Sequence, residues 1–326
     1  MRSVGCMTLL LVLALGQVGC GRPGGDEAAA DRPIATDSSR LAVAGGEIWY
    51  RVTGTDTGTP VILLHGGPGF SSYYLKALER LGDERLVVRY DQLGGGKSDP
   101  LSDTTRFTIE HFVAELDSLR RHLGRERVHL YGHSWGTILA VEYYRAHPEH
   151  VVSLVLGSPA LDLPAWERNA RELLTTLPDS MQQAVQIREA EGNYDAPDYQ
   201  AAVAEFYGRY VWLRPVEADL DSTMASVNLD IYSYMWGPSE FTATGTLRRY
   251  DARPFLASID LPVLYTVGEF DEANPELVEG FAQQTPDARV VVIPDAAHIT
   301  AWDNPEADLL AVREFLREVE AQADRR

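Results

Sequence analysis

Short runs dominated by apolar residues recur along the chain, and each is about as long as one buried strand. They are residues 60–64, 86–90, 128–131, 151–156, 261–267 and 289–293. A strand that is apolar along most of its length is typical of a parallel sheet covered on both faces. Between two of these runs, residues 107–123 place apolar side chains at the spacing of an amphipathic helix. Alternating strands and helices predict an α/β fold with a mainly parallel sheet covered by helices.

Residues 160–253 interrupt this alternation. Strand-like runs disappear there, and residues 165–177, 181–191 and 199–211 have the pattern of short helices. We therefore predict a helical cap inserted over the carboxyl edge of the sheet, on an α/β core formed by residues 40–159 and 254–326. The core is expected to begin with a hairpin, because two strand-like segments, 41–44 and 47–52, flank Gly45 and Gly46.

The N-terminal residues have the pattern of an export signal. Arg2 precedes an apolar run at 7–15 that is too short to span a bilayer, and small residues lead to Cys20. This resembles a bacterial lipobox, which implies a leader at 1–20 and a lipid anchor on Cys20; an ordinary signal peptide is the alternative. Residues 21–39 are expected to form a flexible tether. The protein is thus predicted to be exported, either as an envelope lipoprotein or in periplasmic or secreted form.

Composition and charge exclude several classes of partner. The chain has 326 residues, and its 29 Lys and Arg against 48 Asp and Glu give a formal net charge of −19. That charge argues against nucleic acid and against adhesion of the folded surface to anionic lipid. Histidines lack convincing metal spacing beside a carboxylate, and Gly94 to Ser98 is not a phosphate-binding loop because Asp91 replaces its first glycine. No metal, cofactor or obligate protein partner is predicted.

Residues 128–137 have the pattern of a nucleophile elbow. An apolar run meets Gly132-His133-Ser134-Trp135-Gly136 and then a helix-like segment. Such an abrupt turn strains the backbone of its central residue, and the glycines leave room for it, so Ser134 is the predicted nucleophile. The Trp135 backbone N–H, at a helix N-terminus, is expected to bind the oxyanion. The second donor is expected from Gly67 in the loop 65–69.

Two later strand-like runs end on residues that complete a catalytic triad. Asp271 follows the run 261–267, and His298 follows the run 289–293. A serine hydroxyl needs an imidazole to take its proton, and the imidazole needs a carboxylate to fix its tautomer. Ser134, Asp271 and His298 occur in the order expected for loops at one edge of such a sheet.

Several motifs resemble the proline iminopeptidase family of α/β-hydrolases, over roughly residues 48–319. They are His65-Gly66-Gly67-Pro68-Gly69, Tyr90-Asp91-Gln92-Leu93-Gly94, the elbow, Gly237-Pro238-Ser239-Glu240-Phe241-Thr242 and Gly268-Glu269-Phe270-Asp271-Glu272. The resemblance implies a serine exopeptidase that releases an N-terminal residue, usually proline, from short peptides. It further implies that Glu240 and Glu272 bind the free α-ammonium. Tyr232, one of the aromatic residues of the predicted cap, is a further candidate for substrate binding. His133 departs from the glutamine common at its position.

Two other functions are compatible with these residues. The same triad could hydrolyse small esters or amino-acid amides, and a non-catalytic binding protein could retain the fold. Two carboxylates that face one ammonium would reject blocked N-termini, because their mutual repulsion would then be uncompensated. Comparing free and N-acetylated prolyl amides with a simple ester therefore separates the three hypotheses.

Overall fold

The structure is a computed structural model that describes residues 35–323 and residue 325. The predicted leader at 1–20 and Cys20 lie outside the described residues, as does most of the predicted tether. None of the helices in the described part of the chain is long and apolar enough to cross a bilayer.

The centre of the fold is an eight-stranded sheet in the order β1-β2-β4-β3-β5-β6-β7-β8. The strands are β1 Ala35–Val43, β2 Gly46–Gly54, β3 Val61–Leu64, β4 Leu86–Asp91, β5 Val128–His133, β6 Val151–Gly157, β7 Val263–Gly268 and β8 Ala288–Ile293. Strand β2 pairs antiparallel with both β1 and β4, and all other neighbours are parallel. Every residue of β3, β5 and β7 is buried. The prediction of a mainly parallel α/β sheet is confirmed.

Helices cover the sheet and fill the connections between its strands. They are α1 Ile109–His122, α2 Trp135–Ala146, α3 Leu163–Leu174, α4 Asp179–Glu191, α5 Pro197–Tyr210, α6 Ala218–Ala225, α7 Leu229–Met235, α8 Arg253–Leu256, α9 Pro275–Ala282, α10 Thr300–Asp303 and α11 Pro305–Ala323. Shorter-pitch 3-10 helices occupy Tyr73–Asp83, Thr104–Arg106 and Pro148–His150. Local chemistry fixes the start of α1, where the Thr108 hydroxyl accepts from the His111 N–H at 3.2 Å.

The predicted tether extends too far toward the C-terminus. Residues 35–39 belong to β1, where they pair with residues 50–54 of β2. The side chains of residues 36–40 are exposed, so this edge strand shows no apolar alternation in sequence. Backbone hydrogen bonds to β2, rather than side-chain burial, therefore hold it in the sheet.

Helices α3 to α8 lie between β6 and β7, and we call this segment the cap. Helices α3, α4 and α5 correspond to three helices expected from the sequence. The cap and the sheet belong to one compact unit, so the boundaries 160–253 stay a prediction. At the end of α5, the Tyr210 carbonyl accepts hydrogen bonds from the backbone N–H groups of Glu272, at 3.3 Å, and His298, at 3.1 Å. These bonds tie the cap to two loops at the carboxyl edge of the sheet.

Candidate active site

Ser134 lies at the turn between β5 and α2, in the conformation expected of a nucleophile elbow. Its φ of 55° and ψ of −122° are strained for a residue with a side chain. The flanking glycines are sterically required, because a Cβ at Gly132 would lie 2.2 Å from the Gly136 carbonyl oxygen and one at Gly136 would lie 2.2 Å from that of Leu64. The close packing of β3, β5 and α2 therefore determines where the Ser134 hydroxyl lies.

The loop after β3 supplies one side of an oxyanion site. The Gly66 N–H donates to the Tyr74 hydroxyl at 2.7 Å, whereas the Gly67 and Trp135 N–H groups donate to no acceptor in the described chain. Gly67 has φ of +110°, which favours glycine, and a Cβ there would lie 2.8 Å from the Phe70 nitrogen. The structure thus leaves the two predicted oxyanion donors, Gly67 and Trp135, unoccupied beside Ser134.

His298 and Asp271 form the base and acid pair predicted from the sequence. The His298 Nδ1 donates to Asp271 Oδ1 at 2.9 Å, and the same oxygen accepts from the Ala273 N–H at 2.8 Å. Burial alone would raise the pKa of Asp271, but the His298 charge and these hydrogen bonds lower it overall. An ionised Asp271 fixes the tautomer in which His298 Nε2 is free to accept a proton.

Ser134 and His298 line one pocket, although no hydrogen bond joins their side chains in the described residues. Such bonds often shorten only when substrate is bound. The free space beside Ser134 is about 20 Å³, which is room for one water molecule. Part of the wall comes from the cap, through Tyr207, Trp212 and Glu240, so a substrate residue can enter only if cap side chains move.

His133 connects the oxyanion loop to the general base. Its Nε2 lies 2.8 Å from the His298 carbonyl oxygen and its Nδ1 lies 2.9 Å from the Tyr74 hydroxyl. A carbonyl can only accept, so Nε2 carries the proton and the Tyr74 hydroxyl donates to Nδ1. Burial, and then the nearby His298 charge, lower the pKa of His133 to about 3, which keeps the ring neutral. Gly66, Tyr74, His133 and His298 thus form one continuous chain of hydrogen bonds.

The two glutamates implied by the family resemblance are both buried close to the pair of His298 and Asp271. Glu240 lines the pocket of Ser134 and accepts a hydrogen bond from the Tyr232 hydroxyl at 2.7 Å. Glu272 is 0% exposed, and neither of its carboxylate oxygens has a hydrogen-bond partner. Burial raises the pKa of both, and the charge of Glu240 raises that of Glu272 further. Within the described chain, neither forms an ion pair with a lysine or arginine.

The structure places Tyr232 differently from the other predicted site residues. It lies behind Glu240, and its ring packs against Phe70 with centroids 5.7 Å apart. Its side chain lines a larger groove in the cap, of about 910 Å³, that also reaches Phe70 and Tyr207. Because Phe70 and Tyr207 line the Ser134 pocket as well, they separate the two spaces.

The sequence did not predict that Tyr74 joins the hydrogen-bond chain or that Phe70 and Tyr207 line the pocket. Among these residues and His133, only His133 carried a signal in the sequence, because it lies inside the elbow motif. Among the described residues, no group of three or more histidine, cysteine or acidic side chains is arranged to hold a metal ion.

Comparisons with known proteins identify the fold and the family. The family profile described as alpha/beta hydrolase fold matches residues 59–305. The proline iminopeptidase of Heyndrickxia coagulans is 39% identical over 288 residues, which are 86% of this chain and 98% of that relative. The proline iminopeptidase of Saccharolobus solfataricus is 31% identical over 274 residues, or 83% of this chain and 88% of that relative. The crystal structure of the Mycobacterium smegmatis proline iminopeptidase has a TM-score of 0.81 at 33% identity and covers 88% of this chain and 100% of its own. The chain belongs to the proline iminopeptidase family of α/β-hydrolases.

Proposed function

We propose that this protein is a serine aminopeptidase that releases an N-terminal proline from short peptides. The observation that supports this most strongly is the pair of buried glutamates beside the triad. Glu272 is fully buried with both carboxylate oxygens unpartnered, and a buried carboxyl group without a partner is costly. An α-ammonium group supplies both the positive charge and the N–H donors that this pair lacks.

In the proposed mechanism, each step of the reaction has its own residue. With the ammonium bound at Glu240 and Glu272, the first peptide carbonyl lies over Ser134, and His298 Nε2 takes the hydroxyl proton as Ser134 Oγ attacks the carbonyl carbon. The Gly67 and Trp135 N–H groups bind the oxyanion. The proton on His298 passes to the leaving nitrogen as the peptide bond breaks, and a water activated by the same histidine then hydrolyses the acyl-enzyme.

The test compares a prolyl arylamide, which has a free amine, with a butyrate ester, which has none. Glu240→Gln and Glu272→Gln each remove a charge-assisted contact worth about 1.5–3 kcal/mol. We expect kcat/KM for the arylamide to fall roughly tenfold to hundredfold in each variant. Ester turnover should stay near wild type, because the ester still uses Ser134, Asp271 and His298.

Stability provides a second, opposite readout. Glutamine at position 272 removes an unpaired buried charge, so Glu272→Gln should raise Tm at alkaline pH while it lowers peptide turnover. A purely structural glutamate would instead lower Tm when replaced. Equal loss of arylamide and ester turnover in both variants would refute the ammonium site and favour a general esterase or amidase.

We also infer from the sequence of residues 1–20 that the protein is exported and anchored to a bacterial envelope membrane by a lipid on Cys20. Support comes from the short apolar run at 7–15 followed by small residues and Cys20.

A further inference from the structure

The cap contains a groove that the reaction at Ser134 does not explain. Its volume is about 910 Å³, against about 20 Å³ of free space beside Ser134. Its walls come from the loop between α4 and α5, from α5, and from the segment that joins α6 to α7. The two spaces share Phe70 and Tyr207 as wall residues, so the groove lies directly beside the catalytic pocket, on the other side of these two side chains.

We propose that this groove binds the part of the peptide that follows the scissile bond, and that it prefers apolar residues without a free carboxylate nearby. This inference rests on the proposed function. An aminopeptidase substrate has a single residue on the acyl side of the cut bond, and the buried pair of Glu240 and Glu272 holds its amino end. The only long part of such a substrate is therefore the leaving chain, and the groove is a large space that borders the site at Phe70 and Tyr207.

Part of the groove wall is apolar and aromatic. Phe70, Tyr194, Tyr207, Met224 and Leu229 contribute to it. Aromatic and methionine side chains bind apolar groups of different shapes with little loss of conformational freedom. A phenylalanine or leucine directly after the scissile bond would therefore bind better than a glycine.

Charge defines the second preference. Asp195 is the one charged side chain among the groove residues in the described chain, and the catalytic pocket adds Glu240. A free carboxylate on the first or second leaving residue would meet these acids and find no lysine or arginine in the walls. Peptides of four or more residues place that charge farther out, and peptide amides remove it.

The experiment measures kcat/KM for a set of prolyl peptides that differ only after the scissile bond. It uses prolyl-glycinamide, prolyl-phenylalaninamide, free prolyl-phenylalanine, and prolyl-phenylalanyl-leucine as both amide and acid. We expect the phenylalaninamide to exceed the glycinamide about tenfold, since burial of the ring contributes about 1.5 kcal/mol or more. The dipeptide amide should exceed the dipeptide acid by about tenfold.

A charge variant and a matched control locate the effect in the groove. Leu229 is 68% exposed on the groove rim, and Ile187 is 51% exposed on α4 outside the groove. Leu229→Lys adds a cation at the rim and should reduce the amide-to-acid ratio, averaged over the two peptide lengths, about threefold. Ile187→Lys makes the same change in charge elsewhere on the cap and should leave that ratio unchanged.

Two outcomes would overturn the inference. One is hydrolysis of prolyl arylamide together with equal kcat/KM for all leaving chains. The other is an amide-to-acid ratio that is the same in wild type, Leu229→Lys and Ile187→Lys, which would show that the leaving chain does not lie along the groove rim. Failure to hydrolyse any substrate with a free amine would instead refute the proposed function, so the two failures are distinguishable.

Discussion

Replacement of His133 tests whether the hydrogen-bond chain between the oxyanion loop and the general base supports catalysis. Leucine at this position has a similar bulk but neither donates to the His298 carbonyl nor accepts from the Tyr74 hydroxyl. Glutamine can do both, through its amide N–H and its amide oxygen. The pair of variants therefore separates hydrogen bonding from the filling of space.

The cost of the leucine variant follows from the partners that remain. The Tyr74 hydroxyl loses its acceptor in a buried site, which costs about 1–3 kcal/mol. The His298 carbonyl keeps the Ser158 hydroxyl at 2.7 Å, so its loss is a single hydrogen bond, about 0.5–1.5 kcal/mol. We expect His133→Leu to lower the free energy of unfolding by about 2–4 kcal/mol, and His133→Gln by less than about 1.5 kcal/mol.

The kinetic effect should appear in kcat. Small displacements of a catalytic group can cost about a hundredfold in rate, so we expect His133→Leu to lower kcat for a prolyl arylamide by roughly tenfold to a hundredfold. KM should change little, because no hydrogen bond joins His133 to Glu240 or Glu272. In His133→Gln, kcat should stay within about fivefold of wild type.

Urea unfolding and steady-state kinetics over a range of pH measure both effects. Because the pKa of His133 is lowered to about 3, the ring is neutral throughout the working range, and His133→Gln should leave the pH profile unchanged. Equal kcat in the leucine and glutamine variants would show that His133 only fills space. A shift in the acid limb of the plot of kcat against pH in His133→Gln would show that His133 itself titrates during turnover.

Three further predictions concern the nucleophile, a buried acid and the leader. Ser134→Ala should keep the fold, judged by circular dichroism, and lower turnover by several orders of magnitude; activity within about tenfold of wild type would exclude the triad. Burial raises the pKa of Glu115 to about 8, so the folded state keeps a proton that the unfolded state loses above its usual pKa of 4.5. Between these two pH values, Glu115 thus lowers the free energy of unfolding by about 1.4 kcal/mol for each unit of rising pH. Urea unfolding at several pH values should show that this free energy declines less steeply with pH in Glu115→Gln than in wild type. Equal declines in the two proteins would contradict the raised pKa of Glu115. Cys20→Ser should release the protein from the membrane fraction if Cys20 is lipidated, and unchanged partitioning would argue for ordinary secretion.

The parts of the fold that the sequence predicts are those with a local signal. A buried strand such as β3 is apolar along its length, and the glycines around Ser134 mark a turn that few other residues allow. Residues 35–39 of β1 lacked such a signal, because residues 36–40 are exposed and backbone pairing with β2 holds this part of the strand. An exposed edge strand has the composition of a linker, so the sequence predicted a tether there.

The hydrogen-bond chain through His133 could not be predicted for a different reason. Its partners, Tyr74 and His298, are 59 and 165 residues away in sequence. Neither separation corresponds to the period of a helix or strand, and no element was predicted for the segment Tyr73–Asp83, in which Tyr74 lies. Only the packing of the loop after β3 against β5 brings these side chains together.

The contact between cap and core explains how recognition of an amino terminus can be coupled to the chemical step. The Tyr210 carbonyl accepts from the backbone N–H groups of both Glu272 and His298, so one atom at the end of α5 holds both the proposed ammonium-binding acid and the proposed general base. The adjacent Val211 carbonyl accepts from Ile299 at 2.9 Å, which secures the loop after His298. Because Glu272 and His298 share this anchor, we expect their relative positions to be kept while cap side chains move to admit substrate. In the proposed mechanism this keeps the spacing between the bound ammonium and the attacked carbonyl, and that spacing distinguishes a free N-terminal residue from an internal one.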